Sequence, residues 1–246
     1  MRWDRRLQMT EPASLAVWQA ALGEGERLDD LEYEGRRIIQ HMEEARFSLD
    51  AVLLARFVQP KQGERILELG TGTGVISLLL AREGLEIEAV ELAPRMAELA
   101  ARNVRLNGLA SLVHVVAGDY RKPDELYAPA SFSLVVCNPP WYPLGRGKIG
   151  RGAAARHEVT ATLAETAAAA RHALPCGGRL ALVFLPSRLD ELFAVLKENN
   201  MAPRRMQFFL PRLAAAPSFV LVEARVGAAA GAVSILPPLL GTTDEG

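Results

Sequence analysis

Glu68-Leu69-Gly70-Thr71-Gly72-Thr73-Gly74 joins a short apolar segment, Arg65-Ile66-Leu67, to a second one that begins at Val75. Glycines at alternate positions let the backbone turn sharply and approach a ligand closely. A buried strand, a glycine turn and a helix opening on it form the first half of a βαβ unit, and the helix N-terminus is a natural ligand-binding end. The spacing Gly-x-Gly-x-Gly differs from the dinucleotide-binding Gly-x-Gly-x-x-Gly, and no Gly-Lys-Ser/Thr follows, which excludes a P-loop. Taken alone, such a loop is also compatible with a plain strand-to-helix turn.

Downstream the elements alternate. The pattern predicts helices over Leu49–Val58, Val75–Arg82, Arg95–Asn107, Glu158–Leu174 and Arg188–Asn199. It predicts strands over Arg65–Leu69, Glu86–Glu91, Leu112–Ala117, Phe132–Cys137 and Arg179–Leu185. Strands separated by helices imply parallel pairs with right-handed crossovers. Two last strands, near Met206–Leu210 and Phe219–Arg225, have no helix between them and predict an antiparallel hairpin on a sheet edge. The expectation is an α/β, Rossmann-like, seven-stranded and mostly parallel sheet. Residues 1–45 read as an N-terminal extension, 46–227 as the folded domain and 228–246 as a surface tail.

Glu91 ends the second strand, roughly twenty residues after the glycine loop, where a doubly wound sheet presents a carboxylate to ribose hydroxyls. Asp119, preceded by Gly118, ends the third strand and is placed to accept from an adenine amino group. A solvated strand-end acid is the plainer reading of either residue alone. In register with the loop, they describe a cofactor with ribose and adenine but no pyrophosphate, which S-adenosylmethionine fits better than NAD or ATP. The candidate cofactor residues are Phe47, Asp50, Glu68, Leu69, Gly70, Thr71, Gly72, Gly74, Glu91, Leu92, Gly118, Asp119, Tyr120 and Asn138.

The fourth strand runs into Asn138-Pro139-Pro140-Trp141. Paired prolines end ladder donation and stiffen the loop. An amino group conjugated to a ring is planar and weakly nucleophilic. Two acceptors, the Asn138 side-chain oxygen and the Pro139 carbonyl, can each take one N–H and favour the pyramidal nitrogen as a methyl group arrives. No strong base is needed. Trp141 offers a face on which a flipped base can stack. The catalytic candidates are Asn138, Pro139, Pro140 and Trp141.

The net charge of −1 excludes a global basic field, so a nucleic-acid partner requires a local patch. Arg146, Lys148, Arg151 and Arg156, interleaved with glycines beside the catalytic loop, are candidates for RNA phosphates. So are Arg204 and Arg205, with Arg212 in the same stretch; solvated surface charge is the alternative for any one of them. His157 reads equally as a structural donor. Cys137 and Cys176 stand far apart without metal-ligand spacing, so neither a disulfide nor a metal centre is expected. With no signal-peptide core and no membrane-length apolar run, a cytoplasmic protein is expected.

Beyond these motifs, Phe47-Ser48-Leu49-Asp50-Ala51-Val52-Leu53-Leu54-Ala55, Ala155-Arg156-His157-Glu158, Pro186-Ser187-Arg188-Leu189, Val222-Glu223-Ala224-Arg225 and Leu236-Pro237-Pro238-Leu239 carry a resemblance. The chain resembles the tRNA1(Val) adenine N6-methyltransferase family of class I methyltransferases over about residues 30 to 240. That resemblance implies methylation of the adenosine 3′ of the anticodon in a valine tRNA, with tRNA as partner and the protein a monomer or weak homodimer. It also implies that the Phe47–Asp50 turn closes over the cofactor or target pocket, whereas a simple helix cap is the other reading of Asp50. Trp141 departs from the usual Tyr or Phe. Alternatives are methylation of DNA adenine, rRNA guanine or protein glutamine, and a non-catalytic RNA-binding protein.

Overall fold

A computed structural model describes residues 11–42, 47–140, 161–229 and 231–241. The parallel core is built from β3 (Arg65–Leu69), β4 (Glu86–Glu91), β5 (Val113–Ala117), β6 (Leu134–Cys137) and β7 (Arg179–Phe184). β6 and β7 are buried along their whole length, so they read as continuous apolar runs rather than alternating ones. The chain then adds the antiparallel hairpin of β8 (Met201–Leu210) and β9 (Phe219–Val226) against β7. These seven strands lie in the order β8-β9-β7-β6-β3-β4-β5. Two further short strands, β10 (Ser234–Ile235) and β11 (Leu239–Leu240), pair parallel with β8. They occupy an edge that would otherwise present unpaired backbone groups. Among the described residues the sheet therefore has nine strands where seven were expected.

Strand order reverses at β3, which neighbours both β4 and β6. A doubly wound sheet opens its ligand crevice at such a point, outside the carboxyl ends of the strands. On one face, α2 (Leu49–Phe57) and α3 (Val75–Leu80) share a core cluster with Ile66, Leu134 and Val183, joined by Val104 of α4 (Pro94–Leu106). On the other face, α5 (Leu163–Ala173) and α6 (Leu189–Glu198) pack against Leu67, Val135 and Leu182. Ala167, Ala169, Ala170 and Ala173 of α5 are all essentially buried, and their small side chains let the helix lie close to the sheet. Thr162 and Glu165 start α5 with a reciprocal capping box. Among the described residues no helix is long and apolar enough to cross a membrane.

Before the parallel core come α1 (Leu15–Ala20) and a hairpin of β1 (Glu26–Asp30) and β2 (Arg37–His41). Trp18 and Ile39 are buried against Leu99 of α4. Polar groups complete the attachment. Asn103 of α4 accepts from the Ile39 amide at 2.7 Å and donates to the Ile39 and Thr73 carbonyls, each at 3.0 Å. Asn107 accepts from the Arg37 amide at 3.0 Å and donates to its carbonyl at 2.8 Å. The buried Arg36 guanidinium donates to the Leu78 carbonyl and, at 2.8 Å, to the Ala81 carbonyl, satisfying acceptors at the end of α3.

Asn103→Ala strips partners from buried backbone groups on two different elements. We expect it to destabilise the fold by about 2–4 kcal/mol. Urea unfolding should show a lower midpoint at an unchanged slope.

Candidate active site

Leu69 and Cys137 are register partners on β3 and β6, so the residues that follow them, Gly70 and Asn138, leave the sheet side by side. Gly70, Gly72 and Gly74 have φ of 70°, 57° and 91°, the left-handed region that excludes most side chains. The Gly70 and Thr71 amides donate to the Val90 carbonyl, which fastens the loop to β4. A Cβ added at Gly72 would meet nothing within 4 Å, so the loop is open there, while Tyr120 lies against Gly70.

Glu91 receives the Gly72 amide at 2.9 Å and the Ala93 amide at 3.0 Å. A carboxylate has about four acceptor positions, so capacity remains for ribose hydroxyls. The Glu91 carbonyl accepts from the Gly118 amide, joining the second and third strand ends. Gly118 lies close to Leu126, so a Cβ there, 2.5 Å from the Leu126 side chain, would make that side chain shift. Asp119 is held by Arg121 in a two-pronged ion pair at 2.8 and 2.7 Å. Those bonds keep its carboxyl below the usual carboxylate range. An adenine amino group must therefore share Asp119 with Arg121. Tyr120 is buried with its hydroxyl 3.2 Å from that of Thr166, and Leu92 is on the surface.

Glu68 lies beneath the loop rather than beside it. It is 1% exposed, and one oxygen accepts from the Ser77 hydroxyl and, at 3.0 Å, from the Ser77 amide in the first turn of α3. Its other oxygen and the Thr71 hydroxyl are buried without a well-formed hydrogen bond among the described residues. Burial pushes the Glu68 carboxyl up to about 7, against the pull of the Ser77 and Thr71 hydroxyls. The sidedness of Glu68 was not legible, because a five-residue strand with no polar alternation does not say which end of the pleat its acid faces.

Phe47 and Asp50 approach from the segment before α2. The Phe47 amide donates to the Gln40 side chain at 3.0 Å, which ties this turn to the hairpin. Asp50 is buried and makes no backbone cap. Its carboxylate accepts from the Ser48 hydroxyl and from Asn138 Nδ2 at 2.7 Å. Among the described residues none donates to Asn138 Oδ1 or to the Pro139 carbonyl. Trp141, Arg146, Lys148, Arg151, Arg156 and His157 lie outside the described residues.

Arg205 is not an exposed phosphate ligand. Its guanidinium is largely buried 4.2 Å over the Phe57 ring, bonded to the Phe57 carbonyl at 2.8 Å and to Glu223 at 3.1 Å. Glu223 also pairs with Arg179, which holds Glu64 at 2.7 Å. A buried cation needs such partners. Arg205 pairs in register with Glu223, beside Ala181 midway along β7, and Glu223 reaches Arg179 at the amino end of that strand. Arg204 donates to the Ala229 carbonyl at 2.5 Å. Arg212, by contrast, is exposed just past the carboxyl end of β8, at the same end of the sheet as Asn138. Gln40, Ser77 and Asn103 escaped sequence reasoning; a polar residue inside an apolar helical stripe, as at Asn103, is the signal that pointed there.

Glu68 binds its proton more tightly in the fold than in the unfolded chain, where it titrates near 4.5. Its favourable contribution is therefore complete below about pH 4.5 and is lost as pH rises through about 7. The full span is about 3 kcal/mol. Glu68→Gln should remove that slope, so urea unfolding at pH 5 and pH 8 should separate the two proteins at the higher pH only.

Residues 46–199 match the family model described as the methyltransferase small domain. The tRNA1(Val) (adenine(37)-N6)-methyltransferase of Pasteurella multocida is 41% identical over 99 residues, covering 39% of this chain and 41% of that protein. Its Yersinia pestis counterpart is 35% identical over 96 residues, covering 38% of each. The match thus spans about two fifths of the length of these curated relatives. In three dimensions the chain is similar to a predicted O-methyltransferase from Agrobacterium tumefaciens, with a TM-score of 0.66 and 23% identity over 80% of this chain and 90% of the other. It is also similar to Methanocaldococcus jannaschii Trm5 solved with adenosine, with a TM-score of 0.60 and 13% identity over 85% and 58%. At these identities the likeness is one of fold. S-adenosylmethionine is the cofactor of this architecture, and the open glycine loop, the spare acceptor capacity of Glu91 and the buried Thr71 hydroxyl fit it. By sequence match and by fold, the chain belongs to the methyltransferase small domain family.

Proposed function

We propose that this protein is an S-adenosylmethionine-dependent N6-methyltransferase acting on an adenine of tRNA, the adenosine 3′ of the anticodon of a valine tRNA. The observation that carries the chemistry is the Asn138 amide. Its Nδ2 is engaged by Asp50, so Oδ1 is the atom left to accept from a substrate amino group, with the Pro139 carbonyl as the second acceptor. When bound, S-adenosylmethionine supplies an electrophilic methyl group on a sulfonium.

The chain's own residues do the rest. Oδ1 of Asn138 and the Pro139 carbonyl each accept one N–H of the target nitrogen, which withdraws its lone pair from the ring and aims it at the methyl carbon. Because both acceptors are fixed before substrate arrives, little reorganisation accompanies the reaction. The proton becomes acidic only once the nitrogen carries the methyl group, so it leaves to solvent without a dedicated base. The choice of tRNA rests on the names of the curated relatives and on the flanking segments that resemble their family. Arg212, exposed at the same end of the sheet as Asn138, is offered to the RNA backbone.

Purified protein should transfer labelled methyl from S-adenosylmethionine to bulk tRNA and yield N6-methyladenosine on digestion. Asn138→Ala should lower kcat by about 10²- to 10³-fold, the effect of deleting one preorganised group. Label that enters only rRNA, DNA or protein would reassign the substrate. Comparison of valine tRNA from a deletion strain and its parent tests the position modified.

A further inference from the structure

We infer that Asp50 is the residue that orients the Asn138 amide, a positioning residue rather than a contact to cofactor. The inference rests on the proposed role of Asn138 as the acceptor of a substrate N–H. A primary amide is nearly symmetric in shape: half a turn about its last bond exchanges oxygen for nitrogen. Only one of those two states serves. With Oδ1 toward the target nitrogen, the amide accepts an N–H. With Nδ2 there, it offers a proton to the lone pair that must attack.

Nothing in Asn138 itself settles the choice, so a neighbour must. Asp50 is buried, and each of its carboxyl oxygens accepts a hydrogen bond, one from the Ser48 hydroxyl and one from Nδ2. It takes Nδ2 at 2.7 Å, and the reversed amide would set two oxygens against each other at that distance. Asp50 is itself held. The Ser48 hydroxyl donates to its other oxygen, and the Phe47 amide before it is fastened to Gln40 of β2. Gln40 in turn bonds Asp29 of β1. A path of hydrogen bonds and two turns of chain thus leads from the N-terminal hairpin to the catalytic amide, although residues 50 and 138 stand far apart in sequence.

Variants of Asp50 and Asn138 decide the matter. In Asp50→Ala, kcat on tRNA should fall about 10- to 100-fold, as expected when a reacting contact is loosened. The Kd for S-adenosylmethionine by calorimetry should stay within about 3-fold of wild type, since the cofactor residues are untouched. Asp50→Asn keeps the shape but can also donate to Oδ1, so it no longer enforces one amide state; kcat should fall about 3- to 10-fold in a protein as stable as wild type, which separates lost orientation from a damaged fold. Combining Asp50→Asn with Asn138→Asp exchanges donor and acceptor while leaving a carboxylate oxygen toward the pocket. That pair should be at least about 10-fold more active than Asn138→Asp alone, where two carboxylates meet.

The side-chain amide protons of Asn138, identified by their loss in Asn138→Ala, report the contact without any activity. They should exchange with solvent at least about 10-fold faster in Asp50→Ala than in wild type. Unchanged exchange, or a weakened cofactor Kd with kcat preserved, would overturn the inference. If wild type fails to methylate tRNA, or Asn138→Ala matches it, the proposed activity falls instead, and the exchange readout still decides the contact.

Discussion

The pairing of β3 with β6 sets Leu69 opposite Cys137, and from that register the functional geometry follows. Each strand ends in a loop whose backbone is fixed by residue type, glycines after β3 and prolines after β6. The ladder therefore places two rigid loops side by side without help from long side chains. A shift of one residue would send every side chain of a doubly buried strand into the opposite, differently packed layer, so close packing enforces the register. Cys137 adds its thiol, 3.4 Å from the Leu69 carbonyl, within the same layer. Burial pushes that thiol well above its ordinary pKa, which makes it an inert packing group.

Around this seam the polar groups that matter are engaged by neighbours at a distance in sequence. Asn103 reaches from α4 to β2 and to the glycine loop through Thr73. Asp50 reaches from α2 to the end of β6. Arg179 and Arg205 bind Glu64 and Glu223 near the opposite end of the sheet, where the amino ends of the strands are drawn together. The buried ion-pair cluster thus sits toward the amino ends of the strands, while Glu91, Asp119 and Asn138 sit at or just past the carboxyl ends.

Much of the fold could be read from the chain because its signals are local. Pro94 at the first turn and the residues after Leu106 bracket α4 within a residue of expectation, and Gly74 places the start of α3. β8 was read too short, since Pro203 and two arginines argue against a strand. The structure accommodates them with an irregularity between Pro203 and Arg205, and Arg205 finds a buried carboxylate that no window of sequence could reveal. The hairpin of β1 and β2 was illegible for a similar reason. Its charged sequence lacks a two-residue apolar period, and what holds it is Asn103, Asn107 and Arg36 meeting partners elsewhere. At the site, the glycine loop, Glu91 and Asn138 were visible as motifs. The turning of Asp50 toward Asn138, and of Glu68 into the interior, depends on packing that motifs do not encode.

The short helix between the glycine loop and Arg36 has a consequence of its own. α3 has six residues, too few to persist unaided, and it is gripped at both ends. Its first turn receives the Glu68 carboxyl from β3, and its last carbonyls receive a guanidinium from the hairpin. Loop and hairpin are in effect the two jaws of one vice, with the helix as the workpiece. With either contact removed, six residues are too few to hold a helix by themselves. Damage at either contact is therefore damage to the element that follows the glycine loop, although Arg36 stands apart from that loop in sequence.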